Sequence, residues 1–290
     1  MIDAGRLAAA LAAHGPVARV AVAEARGSAP REAGTEMLVW AGGFAGTIGG
    51  GALEWRALAL AREVLADGRP RVERMPLGPA LGQCCGGAVV LAIERFDSVP
   101  EAWPHARRLE GARPRPPGTG WRDGWLIEAA AEATRALWVW GAGHVGRAIV
   151  EVCAPLPELA ITWVDIAPER FPQAPPGVAP LVAAEPPRAM AHAPRGAEHL
   201  ILTHSHEIDL ALCHAALARG FAGCGLIGSA TKWARFRSRL SAMGHADAAI
   251  SRIRCPIGNP ALGKHPRAIA VGVAAEILST GARRPAWETA

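Results

Sequence analysis

The chain has 290 residues, half of them apolar and 20% charged, with a net charge of +5. That balance supports a packed core and excludes a wholly disordered chain, and the length suits two domains. Lys232 and Lys264 are the only lysines, the arginines are scattered, and there is no tyrosine to interleave with them, so no nucleic-acid-binding face is expected.

Taken in chain order, the pattern predicts a helix over 3–13, strands over 17–23 and 36–40, and a further short strand over 44–48 that ends in the triple glycine at 49–51. Leu53, Ala57, Leu60 and Val64 recur at helical spacing, which predicts a helix over 52–66. Gly68 and Pro70 stop it. Strands over 71–75 and 88–95 flank Gln83-Cys84-Cys85-Gly86-Gly87. Residues 1–97 thus read as an α+β domain. Residues 98–134, rich in proline, glycine and arginine over most of their length, read as a linker, with Trp103, Trp121 and Trp125 docked on a neighbouring surface. Beyond it, strands over 137–140, 159–164, 199–203 and 224–227 alternate with helices over 145–152, 207–219 and 231–243, and 266–278 closes the chain. That alternation implies a parallel sheet covered by helices on both faces, so the class is α/β, with a Rossmann-type domain over 135–280 and a tail over 281–290.

No apolar stretch reaches the ~20 residues that span a bilayer, and 7–13 is too short for a secretory core. A cytoplasmic protein with no membrane partner is expected. Its six cysteines are then thiols rather than a disulfide frame.

Gly141, Gly143 and Gly146 follow an apolar strand and open a helix, and Asp165 stands 22 residues beyond Gly143 at the end of the next strand. In a dinucleotide-binding turn the first glycine permits the tight bend, the second lets backbone approach a phosphate, and the third lets the helix pack on the sheet. Asp165 is then expected to accept from ribose hydroxyls. Ile166 and Ala167 offer no arginine for a 2′-phosphate, which disfavours NADP. The alternative is a strand-to-helix turn with no ligand.

Three glycine-containing loops fall in the first half, at 27–31, 46–51 and 83–87. Such loops make nests of N–H groups for an oxyanion, with Arg26 and Arg31 to add charge, or are plain turns. The adjacent Cys84 and Cys85 cannot easily bridge each other; they are thiols open to a soft metal or small apolar residues. His204, His206, Asp209 and His214 invite a metal reading. A binuclear hydrolase pattern, however, needs H-x-H-x-D-H, and Ile208 stands where its aspartate would be. Structural roles and cofactor contacts are the competing readings, and His144, within the glycine turn, can reach a phosphate.

Gly-Ser-Ala-Pro-Arg at 27–31, Gly-Thr-Ile-Gly-Gly-Gly-Ala-Leu-Glu at 46–54, Cys-Cys-Gly-Gly at 84–87, Gly-Ala-Gly-His-Val-Gly at 141–146, Thr-His-Ser-His-Glu-Ile-Asp at 203–209, Ile-Gly-Ser at 227–229 and Cys-Pro-Ile-Gly at 255–258 together resemble the XdhC/CoxI family. The resemblance implies a dimeric accessory protein of purine catabolism and xanthine dehydrogenase maturation. Such a protein binds the molybdenum cofactor (molybdopterin), protects it while a cysteine desulfurase supplies sulfur, and passes it to the molybdenum-binding subunit of xanthine dehydrogenase. It implies cofactor contacts at Arg31, Gly49, Gly50, Cys84, Cys85, Gly86, Gly141, Gly143, His144, Gly146, Asp165, His204 and His206, with Cys85 near molybdenum. A nucleotide in the Rossmann domain remains open. The alternative in another class is an NAD-dependent oxidoreductase, for which no lysine–tyrosine couple is present.

Overall fold

The computed structural model describes residues 1–77, 86–131 and 133–281. The chain divides into two compact units, Met1–Glu132 and Ala133–Ala290.

The first unit begins with α1 (Ala4–His14), whose first turn is capped by the Asp3 carboxylate accepting from the Arg6 amide at 2.8 Å. There follow β1 (Val17–Arg26), β2 (Glu36–Trp40), β3 (Gly43–Gly46), α2 (Gly51–Asp67), β4 (Arg71–Pro76) and β5 (Ala88–Phe96). The strands form an antiparallel sheet in the order β3-β2-β1-β5-β4. Successive side chains on a strand point to opposite faces, and β1 is buried on both. Ala18, Val20 and Val22 pack with Leu53, Ala57, Leu60 and Val64 of α2. Val17 packs on the other side with Ile2, Leu7, Leu38 and Phe96.

Residues 98–134 are not the expected linker. They carry a second antiparallel sheet, β6 (His105–Arg108), β7 (Gly120–Arg122) and β8 (Trp125–Glu128), in the order β6-β8-β7. Buried charge joins it to the first sheet. Arg19 of β1 donates to Glu128 of β8 at 2.8 and 2.9 Å and to Glu36 of β2 at 2.5 Å. Arg107 of β6 donates to Glu94 of β5 at 2.7 Å and to Glu128 at 2.9 Å. Burial alone would raise the Glu128 carboxyl, yet Arg19 and Arg107 hold it down at about 2. Burial alone would likewise lower Arg19, but Glu128 and Glu36 drive its guanidinium above the usual range. Trp103 packs against the Phe96 cluster, and the Trp125 indole donates to the Arg113 carbonyl at 2.9 Å. Arginine-rich composition masks these strands because Arg107 and Glu128 hold paired charge at inward positions, beside only two buried apolar residues of β8, Leu126 and Ile127.

The second unit comprises β9 (Arg135–Trp140), α3 (His144–Cys153), β10 (Leu159–Asp165), β11 (Val178–Val182), α4 (Pro186–Ala189), β12 (Glu198–Ile201), α5 (His206–Arg219), β13 (Gly223–Leu226), α6 (Ala230–Ala242), α7 (Asp247–Ile250), β14 (Ile253–Arg254) and α8 (Pro266–Gly281). Its six strands run parallel in the order β11-β10-β9-β12-β13-β14. The chain starts in the middle of the sheet, builds to one side, then crosses to build the other. This is the Rossmann order, with its switch point between β9 and β12. On one face Trp140, Val164 and Ile201 pack with Leu210 of α5 and Phe236 of α6. On the other, Val139, Ile161 and Trp163 pack with Ile149 of α3 and Val273 of α8. The expectation of helices on both faces holds. β11 escapes the sequence pattern because it contains Pro180; it lies at the sheet edge, where a missing N–H is tolerated.

Candidate functional site

The turn between β9 and α3 shows what each glycine does. Gly141 has φ +122°, and a Cβ there would lie 2.4 Å from the Leu202 carbonyl oxygen. A Cβ at Gly146 would lie 2.0 Å from the Gly141 carbonyl oxygen. Both glycines are therefore demanded by the chain's own packing. A Cβ at Gly143 would meet nothing within 4 Å, so the space outside this residue is left open by the protein. Gly143 is also the N-cap of α3 and provides no side-chain acceptor, whereas Ser205 and Ser229 cap α5 and α6 with their hydroxyls. The first-turn N–H groups of α3 thus lack a side-chain partner, an arrangement suited to an anion. His144, the next residue, is exposed.

Beside this turn lies a crevice at the carboxyl ends of β9, β10 and β12, lined by Trp140, Gly141, Asp165, Ile166, Thr203 and His204 among others. An open α/β sheet binds ligands at this place. Asp165 lines it through a carboxylate that is already in use. Its Oδ2 accepts from the Ala142 amide at 2.5 Å and its Oδ1 from the Ile166 amide at 2.7 Å. The carboxylate is buried and engaged by its own loop, so it is not turned outward to a ribose diol. The absence of an arginine near it, expected from Ile166 and Ala167, is also corrected. The 3-10 turn Pro168–Arg170 brings Arg170 back, with Nε 3.5 Å from Asp165 Oδ1. Arg147 ties the two segments together, Nε donating to the Ala142 carbonyl and Nη2 to the Arg170 carbonyl, both at 2.8 Å.

The histidine cluster is dispersed. His204 lines the crevice. His206 is exposed and meets the Phe236 ring edge-on. His214 hydrogen-bonds His245 across 2.7 Å. Asp209 is fully buried and faces inward, accepting from the Thr203 amide at 2.9 Å, the Thr203 hydroxyl at 2.8 Å and Lys232 Nζ at 2.6 Å. Lys232 also donates to the Ile227 carbonyl at 3.0 Å. Asp209 therefore orders the turn that presents His204, and among the described residues no group of three or more histidine, cysteine or acidic side chains is placed to hold a metal. Sequence reading missed Lys232, although it is one of only two lysines and stands three residues after Ser229. Below the crevice, the Trp140 indole donates to His199 Nδ1 at 3.2 Å, and burial pushes the His199 imidazole down to about 4.

In the first unit, three loop motifs meet. A Cβ at Gly27 would lie 3.2 Å from Gly87 Cα, and one at Gly87 would lie 2.4 Å from the Arg26 carbonyl oxygen. A Cβ at Gly49 would lie 2.6 Å from Pro30 Cγ. The 27–31, 46–51 and 86–87 segments thus share one end of the first sheet, with Arg31 exposed beside them. The oxyanion nest expected at 46–51 is filled from within. Glu54 Oε2 accepts from the amides of Ile48 and Gly50, each at 3.2 Å, and from the Thr47 hydroxyl at 2.6 Å, while the Gly49 amide donates to that hydroxyl at 3.1 Å. In this conformation Gly49 packs closely on Pro30, and the amides of Gly49 and Gly50 are engaged rather than free. Cys84 and Cys85 lie outside the described residues, as do 282–290 of the expected tail.

An antiparallel α+β unit followed by a Rossmann-type unit with an open phosphate-type turn is the class that fold and site define. Two family models match, the XdhC and CoxI family over residues 10–76 and the XdhC Rossmann domain over residues 137–277. The chain belongs to the XdhC and CoxI family. It is 28% identical over 279 residues to the uncharacterized protein YqeB of Escherichia coli (strain K12), covering 93% of this chain and 44% of that protein. The chain therefore spans less than half the length of that curated relative. A crystal structure of a xanthine dehydrogenase from Bacillus halodurans superposes with a TM-score of 0.70 at 18% identity, covering 99% of this chain and 98% of that one; at this identity the likeness establishes the fold. No helix among the described residues is long and apolar enough to cross a membrane.

Proposed function

We propose that this chain is an accessory protein that holds a molybdenum cofactor for a partner molybdoenzyme of the xanthine dehydrogenase type, rather than a catalyst in its own right. The observation that carries the reading is the open turn at Gly143, a glycine that the protein's own packing does not require. An anionic pterin tail fits there, against the uncapped first turn of α3. Membership of the XdhC and CoxI family and the meeting of three glycine motifs in the first unit support it further. When bound, the cofactor supplies a molybdenum centre whose oxo ligand is exchangeable for sulfur. The chain's part is to bind, orient and shield it. In this reading a cysteine desulfurase and the molybdenum-binding subunit of the enzyme are partners, the chain works as a dimer, and Cys85 lies near molybdenum. The inward-facing Asp165 weighs against an NAD-dependent oxidoreductase, which needs an acceptor for the ribose.

The test is expression in cells able and unable to make molybdopterin, followed by pterin fluorescence of the purified chain. Pterin is expected only from the competent cells, and Cys85→Ala is expected to reduce retained molybdenum with no change in melting temperature. Equal, negligible pterin from both hosts, with reconstitution also failing, would sink the proposal.

A further inference from the structure

The outer face of the second sheet takes no part in the buried ion network. Arg107 and Glu128 point toward the first sheet, where they meet Glu94 and Arg19, so their neighbours along each strand point the other way. On that other face Arg108 of β6 and Arg122 of β7 each stand directly opposite Trp125 of β8. The register thus sets Arg108, Trp125 and Arg122 in one row across three strands, adjacent side chains being about 5 Å apart at Cβ. Trp125 is half-buried, its indole fixed by the hydrogen bond to the Arg113 carbonyl at 2.9 Å. Both arginines are exposed, and among the described residues neither has an ion pair or a hydrogen-bond acceptor. Elsewhere, exposed arginines such as Arg188, Arg237 and Arg254 have carboxylates at 2.7, 3.3 and 3.5 Å. A tryptophan flanked by two unmatched guanidinium groups has the composition of an interface centre, where tryptophan and arginine concentrate.

Charge decides what covers this face. A second copy of the chain would bring the same positive row against it and be repelled. A long polyanion meets carboxylates of its own sign nearby. Trp121 and Asp123, the chain neighbours of Arg122, line an open cleft of about 550 Å³ together with Arg74, Glu110 and Arg113. Mixed charge around an aromatic centre suits a folded protein whose own carboxylates meet the two arginines.

We propose that the outer face of β6, β8 and β7 docks a partner protein through an acidic patch on that partner. Arg108 and Arg122 pair with its carboxylates, and Trp125 lies at the centre of the contact. The proposal adds a docking face to the proposed function and rests on that reading only in the choice of probe.

That probe is the cofactor-free molybdenum-binding subunit of a xanthine dehydrogenase, its association with the full chain followed by biolayer interferometry at low and high salt. Arg108→Glu with Arg122→Glu is expected to slow association about tenfold at low salt and to flatten the salt dependence, with retained pterin unchanged. Arg188→Glu with Arg267→Glu, a matched reversal in the second unit, is expected to change the rate less than about twofold. Arg108→Gln with Arg122→Gln is expected to slow association about threefold, and decides the matter if the reversed chain does not fold. No association of the unaltered chain, equal rates for the unaltered and altered chains, or equal slowing by both reversed pairs overturns the proposal. So does binding of oligothymidylate or phosphatidylserine vesicles through Arg108 and Arg122 with none of the subunit, which would make the face a nucleic-acid or membrane surface. Retained cellular pterin with association indifferent to these arginines would remove this proposal and leave the proposed function standing. Arginine-dependent association without cellular pterin would do the reverse.

Discussion

The two units reach stability by different means. The first joins its two sheets through buried charge, with Arg19 and Arg107 shared among Glu36, Glu94 and Glu128. The second buries both faces of a parallel sheet under apolar side chains and keeps one polar ring, His199, neutral in its interior. A buried ion network fixes partner and register at the cost of desolvation. An apolar sheet core has no such dependence, and the second unit's buried charges, Asp165 and the Asp209–Lys232 pair, lie at a strand end and in the first helical turns beyond its strands.

The largest effect should come from breaking the ion network. Glu128→Gln leaves two arginines short of a carboxylate in a buried site, which should cost the first unit about 3–5 kcal/mol. Denaturant unfolding monitored by hydrogen exchange in β1, β6 and β8 would show it, and an effect confined to the second unit would contradict the comparison. Acid should separate the units next. The depressed His199 pKa favours the folded state above the ordinary histidine pKa of 6.5, and that contribution is lost as pH falls from 6.5 to about 4. The depressed Glu128 pKa favours the folded state above 4.5, and its contribution is lost as pH falls from 4.5 to about 2. Each amounts to about 3 kcal/mol. Exchange protection should therefore fail in the second unit at a higher pH than in the first, and simultaneous loss would contradict this order.

Smaller effects should separate the glycines of the turn. Gly146→Ala sets a Cβ against the Gly141 carbonyl and should cost about 1–3 kcal/mol by overpacking. The Cβ of Gly143→Val would meet nothing within 4 Å, so the substitution should change stability by only about 0.5 kcal/mol, while reducing retained pterin. Thermal melts paired with pterin content would check both. A Gly143→Val chain that loads fully would place the ligand away from the turn.

Sequence pattern alone was sufficient wherever one physical rule governed a segment. The apolar period at Leu53, Ala57, Leu60 and Val64 anticipates α2, and 36–40 coincides with β2. The glycine turn is legible because Gly141 and Gly146 answer to local sterics. It failed where a distant partner decides the outcome. Nothing in the 98–134 composition reveals that Glu128 is shared by Arg107 and Arg19. Spacing cannot show that Glu54 fills the loop at 46–51, or that Asp165 turns inward while Arg170 folds back beside it. Asp209 carries the same lesson, since a carboxylate among histidines suggests a metal until its lysine partner is seen.

Transfer tests the central claim most directly. The chain, purified with pterin bound, would be mixed with cofactor-free molybdenum-binding subunit of a xanthine dehydrogenase, and both pterin partition and recovered activity followed. The account predicts that pterin leaves the chain in proportion to the activity that appears, more efficiently than from free cofactor at equal concentration. Pterin that stays on the chain, or activation no better than by free cofactor, would contradict it.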